Sequence, residues 1–588
     1  MGCLGMSGSK RTLTAAALLA VSVLAGCSVA DKKAGGYVSA TPIHRDAAWA
    51  AVQSPDGDIR LAYYDAKRQL YLANPEKGTV EMPFHSPNVD RASSGLALAW
   101  VGGRAFVGFR DKEPQRDVFV APFDEPKALV GLGAETIPLS RLKMAPRGDK
   151  LASIWYGEEE VPSGKVFHVY YRELDAKGKP LAVAERLFEG IYPTMSLTPS
   201  GRVTAVSWVK DNGKDRIIAR SKNGDQPFGA EIQVADIAPV TPLLEAINDG
   251  ERTLAFWHAQ YGRDLQDFRL EGAYTDDGAK WERFHLKAFD GLDIETGDFA
   301  ADGQGNIAVV ASVVKPQERQ VAKKKVLLAV SHDRGKTWSD AIELRQDEVQ
   351  KDKPYSHARA PKVAFLGAGQ LFVAWQDWRS LRSAVQFSYS EDAGRTWKIN
   401  DQRLTEKATE QEGLGLFSKS LFAHENTLRI VTEQMTSDAI EEKHLRIHTV
   451  TRDQLTNWKP TQSLPPPNRE RLEQRVIAYW KALQAREFET TYSMLDPYFR
   501  ARMKFDVYKE NLGKIEYRDP VLKLSEFAGP IALAVTKMTV EVKPFVVNNR
   551  TMKMDPAERE IPTRWLWIDG DWYLEFYQES RDLRFTPF

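Results

Sequence analysis

Two stretches of this chain carry the same eight-residue spacing, and a spacing that returns at a fixed period strongly restricts the folds open to it. Ser331, Asp333, Gly335 and Trp338 stand at offsets that Ser390, Asp392, Gly394 and Trp397 repeat. Fainter copies occur at Tyr274, Asp276, Gly278 and Trp281, at Ser221, Asn223, Asp225 and Phe228, and at Thr451, Asp453, Leu455 and Trp458. The closing aromatics are 53, 57, 59 and 61 residues apart. A period of this size marks repeated supersecondary units that bury their apolar faces only against one another. Each residue type suits a tight turn between strands: Asp accepts from turn amides, Gly supplies positive φ, and Trp folds back as an apolar plug.

A second periodicity supports the first. Eight apolar runs recur along the chain: Leu61–Tyr64, Phe106–Phe109, Leu151–Trp155, Thr204–Trp208, Leu254–Trp257, Ile307–Ala311, Leu371–Trp375 and Leu428–Thr432. Polar turns precede many of them, as at Ser54–Gly57, Pro199–Gly201 and Asp302–Gly305. Four short strands per unit of this length make a propeller blade. The expected fold class is mainly β: a multi-bladed propeller of four-stranded blades over residues 43–462, followed by a small α+β domain. Eight blades are counted, or seven if the first repeat donates strands to close the ring with the last. The Ser-x-Asp-x-Gly-x-x-Trp turn resembles the Asp-box, or BNR repeat, of sialidase-like β-propellers. That resemblance implies the fold and says little about chemistry.

The ends read differently from the middle. Lys10 and Arg11 precede an apolar run from Leu13 to Ala25, which ends in Leu24, Ala25, Gly26 and Cys27. A short apolar core behind positive charge is a signal-peptide pattern, expected over residues 1–26, and too short to span a membrane with its own flanks. The ending resembles a bacterial lipobox, which implies Cys27 as the lipid attachment site. Ser28 rather than Asp then favours the outer membrane by the sorting rule of Gram-negative lipoproteins. Localisation is therefore expected in the cell envelope, lipid-anchored, with residues 27–42 as a flexible tether. The second of the two cysteines, Cys3, would leave with the signal, so no disulfide is expected in the mature chain.

With 80 basic and 80 acidic residues mixed along 588 positions, the chain has no basic stripe, and nucleic acid is an unsuited partner. Pro465, Pro466 and Pro467 lie in an expected linker over residues 463–470. Beyond it, at residues 471–588, Leu472, Val476, Trp480 and Leu483 recur at helical spacing. More helix is expected at 492–495 and 503–512. Strands are expected at 521–524, 531–542 and 565–567, then a turn at Asp569 and Gly570 and a last strand from Trp572. Helices followed by a curved sheet resemble the NTF2-like cone fold. Trp480, Tyr492, Phe499, Trp565, Trp567 and Trp572 would fill or line such a cone, with core packing as the default.

Strand alternation places the Asp turns, between third and fourth strands, at one end of the propeller. The turns between second and third strands, and the blade-to-blade connections, lie at the other end. In sialidase-like propellers the ligand end is that other one, so the Asp turns are read as structural. The opposite end carries Asp65, Arg110, Asp111, Glu158, Lys210, Asp211, His258, Arg263, Asp377 and Arg379 after second strands. Arg45, Arg91, Arg141 and Arg359 precede innermost strands. Arginines around one funnel could clamp a carboxylate through their planar fork. The competing reading pairs each with a neighbouring acid, as Arg45 with Asp46 and Arg110 with Asp111.

Sialidase catalysis would need an arginine triad, a Tyr nucleophile paired with Glu, and an Asp acid/base. The family's early Phe/Tyr-Arg-Ile-Pro signature is absent, and Phe109 to Lys112 is the nearest string. Two opposed carboxylates could still serve a glycoside hydrolase, with Asp65, Asp111, Glu158, Asp211 and Asp377 to draw on. No metal or cofactor is implied: the histidines are scattered, only His444 and His448 lie close, and no phosphate loop or metal-ligand spacing occurs. The expected function is an envelope binding or scaffold module for a glycan or protein, the alternative a diverged sialidase-like glycoside hydrolase or other carbohydrate-active enzyme.

Overall fold

The computed structural model describes residues 38–39, 43–44 and 49–575, apart from 66, 68, 76, 86–94, 111–116, 134–136, 139–140, 163, 211–214, 238–239, 262–266, 318–323, 346–357, 381, 405–410, 436–441, 460–465, 501–502, 513–514 and 548–549. The signal, Cys27 and the tether outside Val38 and Ser39 lie outside the described residues, as do Arg45, Arg91, Asp111, Asp211, Arg263 and Pro465; Val38 and Ser39 themselves bond to Leu445 of blade 8.

Eight antiparallel sheets follow one another along the chain, and each packs on the next. Blades 1 and 2 span Trp49–His85 and Leu96–Gly131, and blades 3 and 4 span Lys143–Glu189 and Ile191–Ile237. Blades 5, 6 and 7 span Val240–Leu286, Asp293–Glu343 and Ala358–Arg403; blade 8 runs from Gln411 to Thr451. All eight apolar runs named above fall in second strands. These are buried on both faces between neighbouring blades, which is why they read as continuous runs of Val, Ile, Ala and aromatics. Ile307–Val314 is buried at every position.

The ring closes with chain from its own beginning. Ile43–His44 pairs with the third strand of blade 8, at Lys443 and Glu442, and supplies that blade's outermost strand. Eight blades and a donated strand therefore coexist. Ile43, Trp49, Leu61 and Tyr63 share one apolar cluster with Phe422, Val431 and Leu445, so closure is also a hydrophobic seam.

The two full Asp turns are built alike. Asp333 Oδ1 accepts from Ser331 Oγ and from Thr337 N, both at 2.8 Å, while Gly335 N donates to Ser331 Oγ at 2.8 Å. Asp392, Ser390, Gly394 and Thr396 repeat these bonds at the same lengths. Both glycines have φ of 86°. The fainter copies keep the place and change the chemistry. In blade 5 it is Thr275 and Asp277 that make the turn bonds, whereas Asp276 is drawn off by Arg252 at 2.7 Å. Asp225 reaches back to Lys150 and Arg147 of blade 3. Thr451 instead caps the short helix Arg452–Thr456.

Three of the closing aromatics meet rings of the preceding blade. Phe228 meets Tyr171, Trp338 meets Phe256 and Phe284, and Trp458 meets Phe387. Trp338 and Trp397 are half-buried rather than enclosed, because each lies along the outer seam between two blades. Trp397→Ala should therefore cost about 2–3 kcal/mol, below the range for a fully buried aromatic. Asp392→Ala should cost roughly 1–3 kcal/mol through its unpaired turn amide. Urea unfolding of both variants checks these values.

Behind the propeller come the helices Arg469–Gln484, Phe488–Ser493, Pro497–Arg500 and Phe505–Leu512. A four-stranded antiparallel sheet of Ile515–Ala528, Ile531–Val547, Arg550–Ile568 and Asp571–Leu574 follows. The Asp569–Gly570 turn has φ of 47° and 89°, as a two-residue hairpin of this type requires. Trp480, Phe499, Trp565, Trp567 and Trp572 are buried in one cluster with Leu472, Val476 and Leu483, and Tyr492 packs partly buried against it.

Candidate functional site

The first strand of each blade lines the central channel. In blades 4 to 7 that strand slips register near the end away from the Asp turns: between Ile191 and Thr194, Val240 and Leu244, Ile294 and Thr296, and Arg359 and Lys362. A bulge re-aims the side chains it carries. Tyr192 and Ala360 sit at two of these slips with φ of 51° and 48°, and Arg141, just before the first strand of blade 3, has φ of 72°. Positive φ at non-glycine residues is backbone strain, and these three instances lie at or just before the starts of first strands.

Below the bulges, polar groups bridge the blades. Lys143 of blade 3 donates to Thr194 of blade 4 at 3.1 Å and pairs with Glu245 of blade 5. Arg141 donates to the Leu244 carbonyl at 3.3 Å and lies 4.8 Å over the Tyr192 ring. Burial lowers the Arg141 pKa, with Glu245 opposing. Tyr192 stacks in turn on Trp208 at 5.8 Å. Nearer the opening, Glu295 of blade 6 holds Arg359 of blade 7 at 2.9 Å and Lys324 at 2.6 Å. Burial alone would raise the Glu295 carboxyl; the two cations keep it below its usual range.

Blade 8 departs from the pattern. Its inner edge is made by two short strands, Gln411–Gly413 and Leu421–His424, both paired to the same neighbour. Leu414–Ser420 leaves the sheet between them. Ser418 Oγ binds the Trp49 carbonyl at 2.6 Å, and Lys362 Nζ of blade 7 binds the Leu416 carbonyl at 3.2 Å. Within electrostatic range of Lys362 and Lys419 lies Asp298 of blade 6, which accepts from Val363 N at 2.9 Å. Burial pushes the Asp298 carboxyl up, against Lys362, and holds the Lys362 amine below the usual lysine range, against Asp298.

The residues singled out from sequence are distributed otherwise. Asp377 is 1% exposed and bound by Arg379 at 2.8 Å, by Arg345 at 3.3 Å and by Trp375 Nε1 at 3.2 Å. Arg379 also grips Asp401 at 2.7 Å. Burial would raise the Asp377 pKa, but Arg379 and Arg345 take it to about 2. His258 is buried, stacked on Phe268 at 5.2 Å and bonded to the Leu292 carbonyl. Arg110 is buried at the end of its strand and donates its backbone N–H to Gly95. Asp65 accepts from two amides of its own turn, Glu158 pairs with Lys165, and Lys210 lies over Trp208. Of the candidates within the described residues, Arg141 and Arg359 join the channel groups.

Lys143, Thr194, Glu245, Asp298 and Lys362 were not singled out from sequence. They recur at steps of 51, 51, 53 and 64 residues, close to the repeat period, so a search for polar positions inside first strands would have found them. A Tyr–Glu pair does exist: Tyr261 donates to Glu271 at 2.8 Å, with Arg283 at 3.0 Å. Glu271 and Arg283 belong to the third and fourth strands, away from the channel. Burial and the Glu271 bond push Tyr261 up to about 12, the wrong direction for a nucleophile. Among the described residues no cluster of three or more His, Cys, Asp or Glu could hold a metal ion, and no helix is long and apolar enough to cross a membrane.

No family model and no curated protein matches the chain. Among solved structures it is similar to a PL25 ulvan lyase, at a TM-score of 0.40 and 11% identity over 72% of this chain and 99% of that one. It is also similar to the β-propeller domain of the Trilobed protease from Pyrococcus furiosus, at 0.34 and 11% over 62% and 100%. A Penicillium chrysogenum α-L-arabinanase complexed with arabinobiose scores 0.29 at 13% over 44% and 80%. At these scores the likenesses carry no argument about chemistry. The sheets themselves make the architecture plain: eight antiparallel blades in a closed β-propeller, with a helix-and-sheet module after it.

Proposed function

We propose that this protein is a non-catalytic, glycan-binding propeller of the cell envelope, anchored through Cys27 and related to sialidase-like propellers by its Asp turns. The observation that carries the reading is that two of the three channel carboxylates are held by cations, while the third, Asp298, accepts from the Val363 amide. Glu245 is held by Lys143, and Glu295 by Arg359 and Lys324. A hydrolase needs two opposed carboxyl groups whose environments separate an acid from a base or nucleophile. Carboxylates locked by cations at the channel instead favour fixed hydrogen-bond geometry, which suits recognition. Polar side chains along the first strands offer hydrogen bonds to a chain of hydroxyls, whereas a stable protein partner requires roughly 800 Å² of surface on each side.

The test is titration of the soluble chain with an oligosaccharide panel, followed by a reducing-end and unsaturated-product assay on the same mixtures. Binding without turnover is the expected result. New reducing ends, abolished by Glu245→Gln, would establish the hydrolase reading instead. For the anchor, Cys27→Ser should move the protein from the membrane to the soluble fraction and abolish acyl labelling, since stable attachment takes more than one lipid chain. Retention of the variant in the membrane fraction would refute it.

A further inference from the structure

The excursion Leu414–Ser420 puts unusual chemistry on the channel wall. Phe417 is 68% exposed, the second most exposed of the large apolar side chains among the described residues. It is nevertheless flanked by two anchored neighbours: Leu416, held by Lys362, and Ser418, held by Trp49. An aromatic ring shown to water on a pinned segment is presented rather than loosely placed. Lys419 is also exposed, with its amine 5.2 Å over the Phe422 ring. It stands on the same segment whose Leu416 carbonyl takes Lys362 Nζ, within electrostatic range of Asp298 two blades away.

The local charge does not balance. Lys362 and Lys419 both lie within electrostatic range of Asp298, and no ion pair within 4.0 Å joins either of them to it. Lys362 Nζ, 5% exposed as a residue, spends one of its three donors on the Leu416 carbonyl. Lys419 Nζ has no hydrogen-bond acceptor among the described residues. Glu433, the other acid near Lys362, is held by Trp49 Nε1 at 2.6 Å and Lys443 at 2.8 Å. Cations in a partly desolvated recess with unused donors are a site for an anion.

We propose that Lys362 and Lys419 form a subsite for the carboxylate or sulfate group of an acidic sugar, with Phe417 stacking on the face of the sugar ring. This rests on the glycan-binding reading and narrows it to anionic glycans. The shared chemistry is the anionic group; carboxylated and sulfated chains are separated by the test.

The experiment is calorimetric titration of the wild type, Lys419→Ala and Phe417→Ala with three hexasaccharides: neutral cello-, carboxylated galacturono- and sulfated chondroitin-oligomers. An acidic peptide, octaglutamate, is the fourth probe. Thermal melts verify that both variants, altered at exposed positions, remain folded. The expected result is binding of at least one acidic oligosaccharide at least tenfold tighter than the neutral one. Lys419→Ala should lose about tenfold on that ligand and flatten its salt dependence, and Phe417→Ala about fivefold without changing the salt dependence. Equal affinity for neutral and acidic chains, or unchanged affinity in Lys419→Ala, overturns the subsite and leaves the glycan reading intact. Binding of octaglutamate with no oligosaccharide bound overturns the glycan reading itself.

Discussion

Asp377→Ala is expected to lower stability by about 3–5 kcal/mol, the range for breaking a buried ion pair by removing one partner. The carboxylate is the common acceptor of Arg345, Arg379 and Trp375 Nε1, and its side chain has no exposed surface. Its loss removes an ion-pair partner from both Arg345 and Arg379, the latter keeping Asp401. The same residue gives an acid signature. Its folded pKa of about 2 lies below the unfolded value, so its contribution is complete above about pH 4 and is lost as pH falls toward 2. The loss amounts to about 2 kcal/mol. Urea unfolding between pH 2 and 6 should show the wild type and the variant converging at the acid end. Equal stability at neutral pH would mean that Asp377 is free to serve a ligand, as its place in the sequence first suggests.

The second large effect concerns the junction of the two parts. Arg382, on the third strand of blade 7, pairs with Asp496, which precedes the helix Pro497–Arg500; the two side chains are 2% and 0% exposed. A more open pair, Arg403 with Asp569 at 3.2 Å, ties the same blade to the hairpin turn of the C-terminal sheet. Among the described residues the apolar clusters stop at the boundary: the C-terminal cluster contains no propeller residue. Docking therefore rests on polar complementarity, as is common between domains of one chain. Asp496→Ala should take a carboxylate partner from a buried guanidinium and cost about 3–5 kcal/mol of docking. The expected readout is a split of one thermal transition into two, with faster proteolysis between residues 460 and 468. Arg382→Leu combined with Asp496→Leu should restore much of the loss, because both charges leave together. A single unchanged transition in Asp496→Ala would show that the pair does not hold the module.

What the sequence determined on its own was what depends on near neighbours. Eight second strands were legible because a strand buried on both faces must be apolar throughout, and their spacing gave the blade count. The turns at Ser331–Trp338 and Ser390–Trp397 were legible because their hydrogen bonds close within eight residues. The hairpin at Asp569 and Gly570 was readable for the same reason. The fainter copies show the limit: Asp276 has the right offset, yet an arginine 24 residues away claims it and Asp277 takes its place. Tertiary structure alone decided which charges meet. Arg359 finds Glu295 across 64 residues, and Asp377 finds Arg345 and Arg379 inside the protein rather than a ligand at its surface. Ring closure by Ile43–His44 joins positions about 400 residues apart in the chain. The polar belt of Lys143, Thr194, Glu245, Asp298 and Lys362 exists only because the blades bring one position of each repeat to the axis. Periodicity is written locally, in side-chain pattern and turn chemistry. The choice of partner is not, because an ion pair depends on distance in space, which only the closed ring sets.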